Sequence, residues 1–164
     1  DLEGRLRSTR FTSDAGALQR DSSLIVGGRA IGSAALGMSR TDVLARYGAP
    51  RATRTVRLGA ARTPGIVDTF AVPGGVLRVS TVGDRVVGLS TASAYYATAG
   101  GVGASAPLAA AARTVGARWS ACTNAYQRHL GSVVLSLGGK LTGGVVRSVS
   151  MLRRAYAAPC RAAR

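Results

Sequence analysis

The chain has 164 residues and a formal net charge of +15, with 22 lysines and arginines against 7 acidic residues. This length suits one ordinary domain or two small halves that share a core. Hydrophobic residues make up 46% of the chain and aromatic residues 5%, so we expect a core of Val, Leu and Ile. No apolar run is long enough for a membrane span or a signal-peptide core, so no transmembrane segment is predicted.

The positive charge has two interpretations. Almost all of it comes from arginine, because Lys140 is the only lysine, and abundant Arg, Ala, Gly and Val are typical of a GC-rich genome. Alternatively, the surface attracts acidic proteins, acidic envelope polymers, anionic lipid headgroups or nucleic acid. Both interpretations stay open at the level of the sequence.

The first part of the chain predicts a flexible arm and then a short helix. Residues 1–23 are polar and basic, without sustained periodicity, and residues 24–26 could form a short strand. Ser39 with Asp42 three residues later indicates a helix start, and Gly48 ends that helix.

Four strands are predicted after this helix, at 53–58, 66–72, 76–82 and 85–91, and the last two are joined by a two-residue turn. In the third strand, Leu77, Val79 and Thr81 share one face, whereas Arg78 and Ser80 share the other. This alternation predicts a sheet with one face packed under a helix and one face in water.

The second part of the chain repeats this order. Pro107 suits the first turn of a helix, the alanines at 109–112 favour its continuation, and Gly116 ends it. Later strands are predicted at 117–122, 133–137 and 145–152, while 124–130 is ambiguous.

The repeated order predicts an α+β fold built from two tandem units. Each unit is a short helix followed by antiparallel strands, and the two units join into one sheet with both helices on one face. The predicted boundaries are 1–23 for the arm, 24–98 for the first unit and 99–164 for the second.

The two cysteines, Cys122 and Cys160, predict a disulfide if the protein is exported. Such a bond would pin the basic tail onto the second unit. Two reduced thiols in a cytosolic protein are the alternative. The chain begins at Asp1 without a methionine, and we expect a mature exported protein or a piece of a longer one.

The sequence favours no catalytic, cofactor or metal site, and we predict a protein that is not an enzyme. His129 is the only histidine, and a loop position beside the disulfide explains it better than a catalytic base does. Asp68 lies within a strand, where we expect it to pair with an arginine on the solvated face.

A glycine-bounded helix motif followed by a hairpin resembles the repeat of beta-lactamase inhibitor proteins and of the small lipoprotein of the outer-membrane β-barrel assembly machine. The matching residues are Gly37, Met38, Asp42, Val43, Tyr47, Gly48 and Pro50. The copy at 103–116 departs from the motif, since Pro107 and alanines replace its acid and valine. The resemblance implies an exported protein that binds other proteins through an open sheet face.

We therefore expect a secreted or envelope-associated binding module that recognises an acidic protein or envelope polymer. The alternative is a basic protein that binds nucleic acid. Aromatic and arginine side chains dominate protein interfaces, although the core is the commoner position for each of the aromatic ones. The candidate partner-binding residues are Arg78, Tyr95, Tyr96, Trp119, Tyr126 and Arg147.

Overall fold

Antiparallel strands dominate the protein. The computed structural model describes residues 22–140 and 143–158, of which 48% lie in strands and 14% in helices. The elements in chain order are β1 (Ile25–Val26), β2 (Ala30–Ile31), β3 (Ala34–Ala35), α1 (Arg40–Tyr47), β4 (Ala52–Leu58), β5 (Thr63–Val72), β6 (Gly75–Val82), β7 (Arg85–Thr91), α2 (Leu108–Val115), β8 (Arg118–Ser120), β9 (Ala125–Leu130), β10 (Val133–Gly138), β11 (Ser148–Arg153) and a 3₁₀ turn (Arg154–Tyr156).

The predicted fold class, an α+β protein of two tandem helix-plus-strand units, is wrong. The described strands form an eight-stranded sheet and a separate three-stranded sheet, with two helices of eight residues each. Helices this short have little stability of their own, so the packing of the sheets organises the fold. The prediction therefore overestimated the part that the helices play in the fold, and it did not include the second sheet.

The eight-stranded sheet has the order β4-β5-β6-β7-β11-β10-β9-β8, and every neighbouring pair is antiparallel. Strands β7 and β11 meet in its middle, where Leu89 pairs with Met151. This seam joins two parts of the chain that are far apart in sequence. Elsewhere in the sheet, each pair of neighbours is also consecutive along the chain.

Both helices begin and end where the sequence indicates. The Ser39 hydroxyl accepts a hydrogen bond from the Asp42 N–H at 3.0 Å and donates one to the Asp42 carboxylate at 2.7 Å. Gly48 ends α1, and its N–H donates to the Leu44 carbonyl. Helix α2 follows Pro107 and ends at Gly116 in the left-handed conformation (φ 66°), which glycine adopts without steric strain.

The small sheet β1-β2-β3 packs against β7 on the covered side of the large sheet. Its strands have two residues each, and Gly28 and Gly32 take positive φ values of 77° and 60° in the turns between them. Ile25, Ile31 and Ala34 are buried in the core that the two sheets share. Only β1 had a counterpart in the predicted strands.

One hydrophobic core lies on one face of the large sheet. Leu77 and Val79 of β6 and Leu135 and Leu137 of β10 point into it, and both helices and the small sheet cover it. The alternation predicted for β6 is confirmed, because Arg78 is exposed and Ser80 is half-buried on the opposite face. We call the first face the covered face and the opposite one the open face.

Two of the predictions reach residues that the structure does not describe. The predicted arm, 1–23, lies outside the described residues except for its last two positions. Cys160 also lies outside them, so the pairing of Cys122 with Cys160 stays a prediction.

Candidate functional site: a groove on the open sheet face

A groove of about 1080 Å³ lies on the open face, over strands β8 to β11. Its floor is made of residues that alternate with the buried core positions of the same strands, so they point away from the core. These residues are Arg118, Ser120, Ala125, Gln127, His129, Val134, Ser136, Gly138, Ser148, Ser150 and Leu152.

The pairing of six strands aligns polar side chains in one row across the open face. We call this set the polar row. Each member lies directly opposite the next on the neighbouring strand, and the row has an arginine at each end. The members, from β6 to β8, are Arg78, Ser90, Ser150, Ser136, Gln127 and Arg118.

The polar row is accessible to solvent along its whole length. Both terminal arginines are exposed and the four residues between them are half-buried. Gln127 Nε2 donates a hydrogen bond to Ser136 Oγ at 3.1 Å, so these two side chains hold each other in place. The row therefore offers fixed polar groups that a ligand can reach.

Gly138 leaves space on the floor of the groove beside the polar row, because it has no side chain. A Cβ atom at Gly138 would lie 2.6 Å from Ser148 Oγ, which is shorter than a normal van der Waals contact. A larger residue at this position would therefore displace Ser148 and crowd the groove.

One side of the groove is bordered by the segment that follows β11. Ala155, Ala157 and Ala158 line the groove together with Ala60 from the turn after β4. The two segments pack closely, because a Cβ atom at Gly59 (φ 68°) would lie 2.7 Å from the Ala155 carbonyl oxygen. This contact fixes the border of the groove at the end where β11 finishes.

The electrostatics of the two faces differ. The three carboxylates in the described part of the chain, Asp42, Asp68 and Asp84, all contact residues at the start of α1. None of them lines the groove, whereas Arg118, Arg128 and Arg154 do. Arg128 reaches the groove from its edge, where its Nη1 donates to the Val115 carbonyl at 2.6 Å. The groove therefore carries positive charge without a described counter-charge.

Asp68 pairs with an arginine as predicted, but on the covered face and not on the solvated one. Its side chain is 1% exposed and accepts hydrogen bonds from Arg40 Nε at 2.6 Å and from Thr53 Oγ1 at 2.6 Å. Burial by itself raises the pKa of Asp68, but the hydrogen bonds from Arg40 and Thr53 and the charge of Arg40 outweigh it and lower that pKa below its usual value. Their hydrogen bond likewise raises the pKa of Arg40. This pair anchors α1 to β5.

The predicted partner-binding residues are scattered in the structure. Arg78 belongs to the polar row, and Arg147 is exposed just before β11. Tyr96 is fully buried and belongs to the core, whereas Tyr95 is 38% exposed and packs edge-on against it with ring centroids 5.1 Å apart.

Trp119 and Tyr126 form a second edge-on pair, with ring centroids 5.2 Å apart. Tyr126 pairs with the buried Leu137 and packs against the core, so this pair belongs to the covered face, although Trp119 also borders the groove at its outer edge. Cys122 is exposed in the turn between β8 and β9, next to Thr123 and Asn124, which line the groove.

Five members of the polar row were not singled out from the sequence: Ser90, Ser150, Ser136, Gln127 and Arg118. Their outward position in alternating strands is a signal that the sequence does contain. Their alignment depends on the register between strands, which no local pattern reveals.

The described residues contain no group of three or more His, Cys, Asp or Glu side chains that could hold a metal ion. His129 lies in strand β9 and not in the predicted loop. It is exposed on the floor of the groove, opposite Val134 on the neighbouring strand. The prediction that the protein is not an enzyme stays a prediction. Within 22–140 and 143–158, no helix is both long and apolar enough to cross a membrane.

Comparison with known proteins shows a shared fold but no family. No protein-family model matches the chain, and no curated protein matches it. The chain is similar to an extracellular protein containing a SCP domain from Bacillus anthracis, with a TM-score of 0.55 and 10% identity over 72% of this chain and 44% of that one.

The chain is also similar to a cysteine-rich secretory protein from Staphylococcus aureus, with a TM-score of 0.56 and 12% identity over 77% of this chain and 51% of that one. A DUF4309 family protein from Bacillus subtilis gives a TM-score of 0.47 and 14% identity over 84% and 90% of the two chains. The chain thus spans about half the length of the first two structures. None of the three is described as an inhibitor or an assembly lipoprotein, and the resemblance of residues 37–50 to those families stays a prediction.

Proposed function

We propose that this protein is a non-enzymatic, extracytoplasmic binding module that recognises an acidic protein or envelope polymer through the open face of its large sheet. The observation that carries this proposal is the polar row, which has an arginine at each end. Its members Ser150, Ser136, Gln127 and Arg118 line a groove without any described carboxylate, and Ser90 and Arg78 continue the row on the open face beyond that groove.

The charge distribution supports an anionic ligand. The described carboxylates are gathered near α1 and are partly neutralised there, most closely by Arg40. The open face is left with a positive potential, which attracts an anionic ligand from solution and speeds its association. The concave shape of the groove would bury part of that ligand and reduce the screening of its charge by salt.

An extracytoplasmic location is supported by one structural comparison and by one prediction from the sequence. The structures that share the fold with TM-scores above 0.5 are described as an extracellular and a secretory protein. The resemblance of residues 37–50 to exported proteins points to the same compartment. The predicted disulfide would form in such an oxidising environment.

The nucleic-acid alternative has weaker support from the structure. Exposed arginines occur on both faces and at the sheet edges, for example Arg54 on β4 and Arg113 on α2. Neither described helix concentrates them for insertion into a groove of DNA. The overall charge is the feature that favours this alternative, and a binding experiment separates it from the proposal.

The test compares two double variants that remove the same charge. Arg78→Gln with Arg118→Gln changes the polar row, whereas Arg29→Gln with Arg113→Gln changes exposed arginines elsewhere. Binding to immobilised polyglutamate, polygalacturonate and random duplex DNA is measured at low and at physiological salt.

We expect the polar-row double variant to lose about tenfold or more in affinity for polyglutamate or polygalacturonate, because each lost charge-assisted contact contributes about 1 kcal/mol or more. The control double variant should keep most of the affinity. Equal losses in both variants would assign the binding to net charge and contradict the proposal. Tighter binding to duplex DNA, with a steep dependence on salt, would favour the nucleic-acid alternative.

A further inference from the structure

We infer that the ligand of the groove is an extended anionic polysaccharide that lies across the strands along the polar row and continues beyond the groove to Ser90 and Arg78. This inference rests on the proposed function and commits it to one class of polymer. It is carried by the spacing of the two arginines, by the side chains between them, and by what lines the rest of the groove.

The spacing of the terminal arginines sets the length of the ligand. Arg78 on β6 and Arg118 on β8 are separated by five steps between neighbouring strands. At about 4.8 Å a step, their backbones lie up to about 24 Å apart along the row. An extended oligomer with an acidic group near each end can follow the row and contact both arginines.

The side chains between the arginines suit a ligand rich in hydroxyl groups. Ser90, Ser150 and Ser136 can each donate and accept a hydrogen bond, and the Gln127 amide does both through different atoms. A sugar hydroxyl also donates and accepts, so it can pair with such groups in either direction. A carboxylate or phosphate only accepts hydrogen bonds. It can therefore pair with the donors of these side chains but not with their acceptors.

The lining of the groove disfavours an acidic protein as the ligand. Arginine side chains can anchor a protein as well as a polysaccharide, but protein interfaces also depend on aromatic side chains that fill pockets. Of the aromatic residues that the structure describes, only Trp119 borders the groove, and it does so at the outer edge. On one side of the polar row the floor consists of the small residues Ser148, Gly138 and Ala125, which give a protein partner little to bury.

The charge density disfavours nucleic acid. Duplex DNA carries about one negative charge per 1.7 Å of its axis. The polar row places its two arginines up to about 24 Å apart with neutral residues between them. This arrangement matches a polymer whose acidic groups are spaced by neutral sugar hydroxyls better than it matches a continuous line of phosphates.

The experiment uses the full chain and a series of oligogalacturonates of increasing length, with neutral malto-oligosaccharides of matched length as controls. Polyglutamate with the same number of carboxylates tests the acidic protein, and duplex DNA tests nucleic acid. Dissociation constants are measured by titration calorimetry at one fixed salt concentration.

We expect affinity for the oligogalacturonates to rise with length until one chain reaches both arginines, and to change little beyond that length. Polyglutamate of equal charge should bind about tenfold more weakly, because it has no hydroxyl groups and its side-chain carboxylates only accept hydrogen bonds from the serines. Neutral oligosaccharides should bind more weakly still.

Three variants assign these effects to the polar row. Arg78→Gln should abolish the gain that long oligogalacturonates have over short ones. Ser136→Ala with Ser150→Ala should lower the affinity for oligogalacturonates by a larger factor than that for polyglutamate. Arg113→Gln, on α2, is the matched control and should alter none of these affinities by more than its general effect on charge.

The inference and the proposed function fail in different ways. Polyglutamate that binds as tightly as oligogalacturonate, or affinity that does not depend on length, would overturn the polysaccharide but keep an anionic ligand. Preference for duplex DNA would overturn both in favour of nucleic acid. Absence of binding to every anionic polymer at low salt would overturn both outright.

Discussion

The two faces of the eight-stranded sheet come from the same strands but have different chemistry. On β5, Phe70 points into the core and is fully buried, whereas Val67 on the open face is half-buried. The covered face holds the buried ion pair of Asp68, and the open face holds serines and arginines without a described carboxylate.

This difference shows how the sheet separates stability from binding. The covered face buries apolar side chains and pairs its one buried carboxylate, so it contributes most of the free energy of folding. The open face has polar groups that water already solvates, so changing them costs little stability. Mutations on the covered face should therefore change the free energy of unfolding, whereas mutations on the open face should change the affinity for the ligand.

The largest expected effect comes from a pair of truncations on β5. Phe70→Ala removes a fully buried ring and should lower the free energy of unfolding by about 3–5 kcal/mol. Val67→Ala, on the other face of the same strand, should lower it by less than about 1 kcal/mol. Urea denaturation followed by circular dichroism measures both, and equal losses would show that the two faces do not differ as described.

The next effect concerns the predicted disulfide between Cys122 and Cys160. Titration of the denatured protein should find no free thiol, and reduction should lower the free energy of unfolding by about 3–4 kcal/mol because the unfolded chain gains entropy. Two thiols titrated in the unreduced protein would contradict the predicted bond. Because Cys122 lies beside residues that line the groove, reduction should also weaken ligand binding.

The ion pair on the covered face predicts a dependence of stability on pH. Asp68→Asn should lower the free energy of unfolding by about 2–3 kcal/mol, because it leaves Arg40 without its carboxylate in a partly buried position. Since the folded-state pKa of Asp68 is lowered, its contribution is complete above the unfolded value of about 3.9 and is lost as the pH falls below that value.

Acid titration of the wild type and the variant measures this contribution. The Asp68→Asn protein should lose less stability than the wild type below about pH 4. Thr53→Val, which removes one hydrogen bond to the same carboxylate, should have an intermediate effect. Identical acid dependence in all three proteins would show that Asp68 is not the responsible group.

The smallest effect on stability is expected on the open face. The double variant Arg78→Gln with Arg118→Gln should change the free energy of unfolding by less than about 0.5 kcal/mol, since exposed side chains rarely contribute more. The same variant is expected to lose binding. A large loss of stability here would mean that the polar row holds the sheet together.

The sequence predicted the local elements better than their arrangement. Ser39, Gly48 and Gly116 marked the ends of both helices correctly, and the alternation of Leu77, Arg78 and Val79 assigned the faces of β6 correctly. Caps, turns and alternation depend on neighbours within a few residues, so a sequence shows them directly.

Features that depend on distant contacts were missed. The three-stranded sheet has strands of two residues, too short for any periodic signal. Strand β9 was ambiguous because Gln127, Arg128 and His129 follow one another without apolar alternation. The polar row depends on the pairing of β7 with β11, which determines which outward residues align.

The same pairing of β7 with β11 constrains the order in which the protein folds. Strands β4 to β7 can pair as soon as they are synthesised, but the open edge of β7 has no partner until β11 emerges near the end of the chain. An unpaired central strand is a template for association with other chains. A nascent or truncated chain that lacks β11 should therefore aggregate, because the edge of β7 stays open until Leu152 pairs with Gly88.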